Sequence, residues 1–240
     1  MSRVALDALA SRRCVPLGVL IAIVGCVERT AVERGRAAFA DPRVSGSPTN
    51  DVACADCHAP GPVPAGRVLA GGSLEGVLGR PHWWGGAVRD PLEAVNACLF
   101  YFMRTPYSRL LTPQTPVGLD LLAFLETLGV EPSPPVPFTV VRRPSLALPP
   151  GDPAAGAALW NAACASCHGE LRTRRGARNR NAPVVPDATI AEHGEYALER
   201  VVYKVRHGGF FGLGGDMPPY SLEVLSDEQL ADLVAYLELP

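Results

Sequence analysis

Two Cys-x-x-Cys-His motifs carry the residue types of this chain that are best suited to chemistry. They are Cys54-Ala-Asp-Cys57-His58 and Cys164-Ala-Ser-Cys167-His168. Two cysteines at this spacing can form thioether bonds to the vinyl groups of a haem, and the adjacent histidine then faces the iron as an axial ligand. Zinc or thiol-redox sites are the alternatives, but zinc would need further Cys or His ligands at suitable spacing, and these are absent. The motifs therefore predict two covalently attached haem c groups, one at each motif.

The sequence around the two motifs contains an internal repeat, which indicates two copies of one domain. Gly35–Phe39 matches Gly156–Trp160, each as a short helical stretch ahead of a motif. Residues 118–128 match 228–239, and both are amphipathic at helical spacing. Gly and Pro contribute 24 residues each, while strand-like alternation is scarce. We therefore expect a mainly α fold of two similar domains, with short helices and long loops around the haem.

A proline-rich stretch separates the two copies. It predicts a fairly stiff linker over residues 132–149, between a first domain at 26–131 and a second at 150–240. Such a linker permits either a fixed interface or two independently placed domains. The net charge of −2 gives no sign of nucleic-acid binding, so any charged docking site must be local. Oligomeric state stays open.

The N-terminal segment is typical of an export signal. Two arginines precede a mostly apolar run at 15–24, which is too short to span a bilayer. The run ends in Ile23-Val-Gly-Cys26, which resembles the lipobox of bacterial lipoproteins. We expect residues 1–25 to be a signal peptide and Cys26 to carry a lipid anchor, placing the protein at the periplasmic face of a bacterial membrane. The alternative is an ordinary cleaved signal with a chance cysteine.

Residues 151–240 resemble the class I cytochrome c family. The order of features is the family's: a glycine and an aromatic residue, the motif, a proline-containing loop, a helix ending at Gly208, Met217-Pro218, and a last amphipathic helix. The resemblance implies that His168 and Met217 are the axial pair, and that the Pro183 carbonyl orients His168. The alternative for Met217 is a buried core methionine.

The first copy departs from this pattern. Its segment 92–103 keeps the helix before the ligand but lacks the glycine-rich loop and the Met-Pro pair. Met103 lies within two residues of the position of Met217, counted back from the final helix, and is the favoured sixth ligand. Cys98 is the alternative, followed by His82 or no protein ligand.

Cys98 also bears on function. The string Val95-Asn-Ala-Cys98 resembles a segment of the thiosulfate dehydrogenases and related sulfur-oxidation cytochromes. That resemblance implies a Cys98 thiolate on the first haem, with a lowered potential and a role in oxidising substrate. The simpler interpretation, which we favour, is that Cys98 is a small buried residue on a helix.

Five arginines fall within nine residues after the second motif. A partner-docking site, an anion site, a cover for haem propionates and a solvated loop all fit such a cluster. Its members are Arg172, Arg174, Arg175, Arg178 and Arg180.

The features together predict a dihaem cytochrome that carries single electrons between unidentified redox partner proteins. No catalytic residue is assigned. The enzyme alternative oxidises a small sulfur compound at a Cys-ligated first haem, and a dihaem peroxidase is weaker, because no acid or base group for it is identified.

Overall fold

The computed structural model describes residues 28–239, so the predicted signal peptide and the Cys26 anchor lie outside the described residues. The α-helices are α1 (Ala31–Phe39), α2 (Cys54–Cys57), α3 (Pro91–Phe102), α4 (Pro116–Glu126), α5 (Pro153–Leu159), α6 (Ala165–His168), α7 (Asp187–His193), α8 (Ala197–His207) and α9 (Asp227–Leu237). A π-helical turn, Trp160–Cys164, joins α5 to α6, and short 3₁₀ turns occupy Pro42–Ser45, Val77–Gly79, Trp84–Gly86, Tyr107–Arg109 and Gly194–Tyr196.

The predicted mainly α fold is confirmed. Between 28 and 239 the chain forms two isolated β-bridges, Ala59–Ser73 and Trp83–Val88, and no extended strand. Over the same residues, no helix combines the length and the apolar character needed to cross a bilayer.

Each half is built around a crossing of its first and last long helices. Helix α1 packs on α4, and α5 packs on α9. At both crossings a glycine allows the backbones to touch. A Cβ on Gly35 would lie 1.9 Å from the Asp120 carbonyl oxygen, and one on Gly156 would lie 2.0 Å from that of Asp232. The glycines matched by the sequence repeat thus have the same structural role.

The same repeat sets two hydrophobic cores. The first includes Phe39, whose ring lies 5.4 Å from that of Phe124 on α4, and Leu99, which is fully buried. The second includes Trp160 and the fully buried Val202 and Leu230. Apolar residues at helical spacing on α3, α4, α8 and α9 therefore supply many of the buried residues of the two cores.

Caps fix where the helices begin. A capping box begins α9: the Ser226 hydroxyl accepts the Gln229 N–H, and the Gln229 side chain accepts the Ser226 N–H at 2.9 Å. Thr30 and Glu33 form a second capping box at α1. Each cap satisfies backbone donors that the first helical turn leaves unpaired.

The proline-rich segment is held against both halves. The Ser133 hydroxyl donates to the Gly76 carbonyl at 2.8 Å in the first half. Farther along, the Thr139 N–H donates to the Glu223 carboxylate at 3.0 Å in the second half. His207 Nε2 lies 2.7 Å from the Val141 carbonyl oxygen, so the last residue of α8 also contacts the segment. The segment therefore contacts both halves of the chain.

Candidate haem sites

A cavity of about 280 Å³ lies beside the second motif. Helix α6 carries the motif to its wall, and the segment after α8 carries Met217 to the same cavity. The predicted haem contacts of the second half all line it: Cys164, Cys167, His168 and Met217. Two thiols, an imidazole and a thioether around one cavity are the donor set of a His/Met-ligated haem c.

His168 is set up to offer one ring nitrogen to the cavity. Its ring lies 5.8 Å from the Trp160 indole, which is itself fixed by donating to the Gly169 carbonyl at 3.1 Å. Burial lowers the pKa of His168, and the nearby Pro183 carbonyl opposes that shift. Nδ1 is buried and lacks a protein partner in full hydrogen-bond geometry. The predicted Pro183 carbonyl is therefore close to the ring, and a neutral imidazole is available for iron.

The glycine-rich loop that delivers Met217 starts at Gly208. Its φ is +57°, and a Cβ there would lie 2.4 Å from the Met217 carbonyl oxygen, so glycine allows the chain to fold back onto the end of α8. The Lys204 ammonium donates to the Gly208 carbonyl at 2.8 Å and also to the Gly214 carbonyl. Burial lowers the pKa of Lys204 to about 8. This lysine thus binds both ends of the loop.

The first motif places its histidine by a different contact. The His58 ring packs directly on Gly71, where a Cβ would lie 2.1 Å from Cε1. Its Nδ1 is 2.9 Å from the Gly71 carbonyl oxygen. Burial lowers the pKa of His58 to about 4, although that hydrogen bond opposes the shift. With Nδ1 engaged and the ring neutral, Nε2 is the nitrogen left to bind a metal.

The two candidate sixth ligands of the first half occupy different surroundings. Cys98 lies midway along α3 near the motif thiols: burial, and then the proximity of Cys54, raises its pKa to about 12. Met103 caps the end of α3, is 2% exposed and packs in the first hydrophobic core, which also contacts Cys54. His82 lies in the loop ahead of the 3₁₀ turn at 84–86. The first half therefore offers a thiol beside the motif and a thioether in the core.

The two motifs adjoin each other. Cys57 lines the cavity of the second half, together with Cys167. Burial raises the pKa of Cys57 well above its ordinary value, and Cys167 is the next contributor. The Val68 N–H also donates to the Ala162 carbonyl at 3.1 Å, across the halves.

Two members of the arginine cluster, Arg178 and Arg180, contact the first half while remaining partly exposed. Arg178 pairs with Asp56, and Arg180 lies 3.2 Å from Asp51. A separate pair joins the segments beside the two methionines, since Arg104 Nε lies 2.6 Å from Asp216. Arg178 and Arg180 form ion pairs within the chain. The whole cluster is therefore neither a free docking or anion site, nor a cover for haem propionates, nor a purely solvated loop.

Aromatic side chains fill the rest of the boundary between halves. The Trp84 ring lies 5.3 Å from Phe138 of the proline-rich segment and 6.0 Å from Phe210 of the second half. Trp83 packs against the first core. Trp84 therefore lies where the two halves and the proline-rich segment meet.

Some site residues were not found by sequence reasoning. Asp56 sits inside the first motif and Gly71 13 residues after its histidine, and neither was singled out. An acidic residue between the motif cysteines was the one available signal for Asp56. Arg206 was also missed: it is 1% exposed and binds Asp227 at 2.6 Å, which ties α8 to the start of α9.

Comparison with known proteins supports a c-type cytochrome. Residues 151–237 match the family described as "Cytochrome C oxidase, cbb3-type, subunit III". No curated protein sequence matches the chain. A solved structure of thiosulfate dehydrogenase (TsdBA) from Marichromatium purpuratum is similar at 18% identity with a TM-score of 0.38, over 88% of this chain and 46% of its own. The cytochrome c domain in the second half implies covalently bound haem c and haem-based electron transfer.

Proposed function

We propose that this chain is a dihaem c-type cytochrome that carries single electrons between redox partner proteins on the exported side of a bacterial membrane. The observation that carries the proposal is the cavity shared by Cys164, Cys167, His168 and Met217. A haem c bound there supplies a centre that gains or loses one electron without a change in the protein's covalent structure.

The residues of the second half hold and tune that centre. Cys164 and Cys167 provide the covalent attachment, and a neutral His168 provides one axial ligand. Met217 provides the other, and a methionine ligand raises the reduction potential relative to a second histidine. Lys204 and Gly208 keep Met217 in reach by closing the loop before it.

The first half is proposed to bind a second haem through Cys54, Cys57 and His58. The support is the His58 ring, which Gly71 holds on one side with its Nδ1 engaged. Glycine is required there because a side chain would occupy the space of the imidazole. Met103 is the sixth ligand in this proposal.

Localisation rests on the N-terminal sequence. A lipid on Cys26 would hold the protein at the periplasmic face of a membrane without crossing it, and leave both haem sites free to meet soluble partners. Labelling of the full chain with radioactive palmitate is expected to mark the wild type and not a Cys26→Ala variant. Equal absence of label in both would remove the anchor from the proposal.

Mass spectrometry and potentiometry test the dihaem assignment. The mature protein is expected to carry the mass of two haems and to titrate in two one-electron steps. Met217→Ala should abolish the red absorption band of a methionine-ligated ferric haem in the second half, and Met103→Ala should remove the same contribution from the first. A wild-type mass with one haem, or no haem, would overturn the proposal.

A second function is favoured by the position of Cys98. Its thiol lies near Cys54 and Cys57, whereas Met103 lies in the apolar core. A thiolate from Cys98 on the first haem would lower its potential and make that half an oxidising centre for a small sulfur compound. Asn96, from the same string, has a structural role instead: its amide donates to the Leu111 carbonyl at 2.9 Å and accepts the Leu111 N–H at 2.8 Å.

Electron paramagnetic resonance separates the two functions. A low-spin thiolate signal that disappears in Cys98→Ala would establish the enzyme, and thiosulfate oxidation should disappear with it. Two His/Met signals that survive Cys98→Ala would establish the carrier. Cys98→Ser should also lose a thiolate signal, because it preserves size and polarity while removing the sulfur.

A further inference from the structure

One arginine contacts both haem-attachment motifs at the same motif position. The backbone N–H of Arg178 donates to the Ser166 carbonyl at 3.2 Å, and its guanidinium binds the Asp56 carboxylate. Asp56 and Ser166 are each the residue just before the second cysteine of their motif. Arg178 therefore spans the two motifs directly, with the backbone on one and the side chain on the other.

Asp56 is well placed to transmit that contact to its own motif. Its other carboxylate oxygen accepts the Ala53 N–H at 2.8 Å, where α2 begins. The Asp56 side chain is 9% exposed, while Arg178 remains more than half exposed. One carboxylate thus both fixes the turn that presents Cys54 and Cys57 and receives the arginine of the other half.

Neighbouring contacts continue the same junction. The Arg180 N–H donates to Asp51 at 2.9 Å, and the Asn181 side chain donates to the Thr49 carbonyl at 2.8 Å. The segment 178–181 therefore lies along the chain that leads into the first motif. Arg178 is the member of this segment that reaches the motif itself.

We infer that Arg178 is a positioning residue that clamps the two attachment motifs together, and so fixes the distance and orientation between the two haems. Cys57 and Cys167 line the same cavity and lie close enough for Cys167 to raise the pKa of Cys57, so haems attached to the two motifs would be held near each other. Haems held in this way would supply one-electron exchange, and the Arg178 contacts would keep the separation between the two motifs constant. This inference rests on the proposed two-haem function.

The test compares holoprotein variants by circular dichroism in the Soret region, where two closely spaced haems give a split, two-signed band. Wild type is expected to show this couplet, and Arg178→Gln to lose most of its amplitude. Arg178→Lys should retain a large part, because it keeps the backbone contact and the charge. Arg175→Gln is the matched control from the same loop: Arg175 is exposed and pairs with Glu170 alone, so the couplet should not change.

Asp56→Asn removes the charge of the other partner in the Arg178–Asp56 pair. This variant tests the clamp if Arg178→Gln does not mature with both haems. Its couplet is expected to fall as far as that of Arg178→Gln. Raising the salt concentration on wild-type protein should weaken the couplet too, because the exposed ion pair is screened. A couplet of wild-type size in the Gln and Asn variants, each carrying two haems by mass, would overturn the clamp and leave the proposed function intact. A wild-type mass with one haem would instead overturn the proposed function.

Discussion

The two halves share a helix framework and differ in the chain that follows the helix before the last one, α3 in the first half and α8 in the second. In the second half, α8 ends at Gly208, and a loop of eight residues precedes Met217. In the first half, α3 runs on until Met103 itself caps the helix. The crossings α1 on α4 and α5 on α9 are nonetheless alike down to the glycine and the carbonyl that it touches.

This difference distinguishes the residues that the fold requires, at the helix crossings, from the residues that would bind the iron and set its potential. The helix crossing is repeated because packing around glycine needs the same residues each time, and under the proposed function the motif is repeated because each haem would need the same attachment residues. The sixth ligand depends on a loop that only the second half has. Departures from electron relay are therefore expected in the first half, where Cys98 and Met103 compete.

The largest expected effect comes from removing one motif at a time. The double variant Cys54→Ala, Cys57→Ala should lose the mass of one haem, and Cys164→Ala, Cys167→Ala should lose the other, because each motif supplies the covalent attachment of its own half. Mass spectrometry of the denatured protein measures this directly. If the first pair of substitutions leaves the haem content unchanged, the first half does not bind haem as the second half does.

Substitution of the crossing glycines tests whether the shared framework is equally demanding. Gly35→Ala and Gly156→Ala each place a Cβ about 2 Å from a helix carbonyl. Such overpacking forces the helices apart and should lower the free energy of unfolding by about 1–3 kcal/mol in each case. Denaturant unfolding of the holoprotein gives the value.

Gly61→Ala is the control for this pair, because no atom lies within 4 Å of the added carbon. We expect its unfolding free energy to match that of wild type. A large loss for one glycine and none for the other would show that the two crossings are not equivalent, whatever their geometry.

The framework was predictable because it depends on local patterns. The matched glycines, the apolar spacing of 118–128 and 228–239, and the Ser226 capping box are each short-range signals, and the structure uses all of them. The helix ahead of Met217 was predicted to end at Gly208, as it does.

What was not predictable depends on contacts far apart in the chain. Asp56 and Arg178 are 122 residues apart, and Arg104 and Asp216 are 112 apart. The local sequence around each of these four residues does not indicate which residue it will pair with. A run of arginines indicates a charged surface, but only the packing of the halves shows that Arg178 and Arg180 pair with carboxylates of the first half.

The pair beside the two methionines should have a smaller effect. Arg104→Gln leaves Asp216, whose side chain is 8% exposed, without its cation. We expect a loss of roughly 0.5–1.5 kcal/mol in unfolding free energy, since an enclosed carboxylate loses a charged hydrogen bond. When unfolding is followed with a separate probe in each half, the two unfolding transitions should also coincide less closely than in wild type.

Arg43→Gln is the matched control, because Arg43 is almost fully exposed and pairs with Asp41 within the first half. It should change neither stability nor synchrony. If Arg104→Gln behaves like this control, the methionine segments of the two halves are not coupled through the ion pair.

The smallest effect concerns how the proline-rich segment is held to each half. Burial opposes ionisation of Glu223, but hydrogen bonds from Thr139 outweigh it and lower the pKa to about 2. A depressed carboxyl pKa stabilises the contact fully above its ordinary value of 4.5, and the contact is lost as pH falls from there towards 2. Ser133 holds the other side through hydrogen bonds to Gly76 and Gly79 that do not titrate.

Acid should therefore release the segment from the second half before the first. Amide hydrogen exchange, corrected for the intrinsic rate at each pH, is expected to lose protection at Thr139 between pH 4.5 and about 2. Protection at Ser133 should persist over the same range. Glu223→Gln should show reduced Thr139 protection already at neutral pH and no further loss in acid, because the neutral amide binds the same donors more weakly. If protection is lost at Thr139 and Ser133 over the same pH range in wild type, the segment is released as one unit. The two halves would then not differ in how they bind the segment.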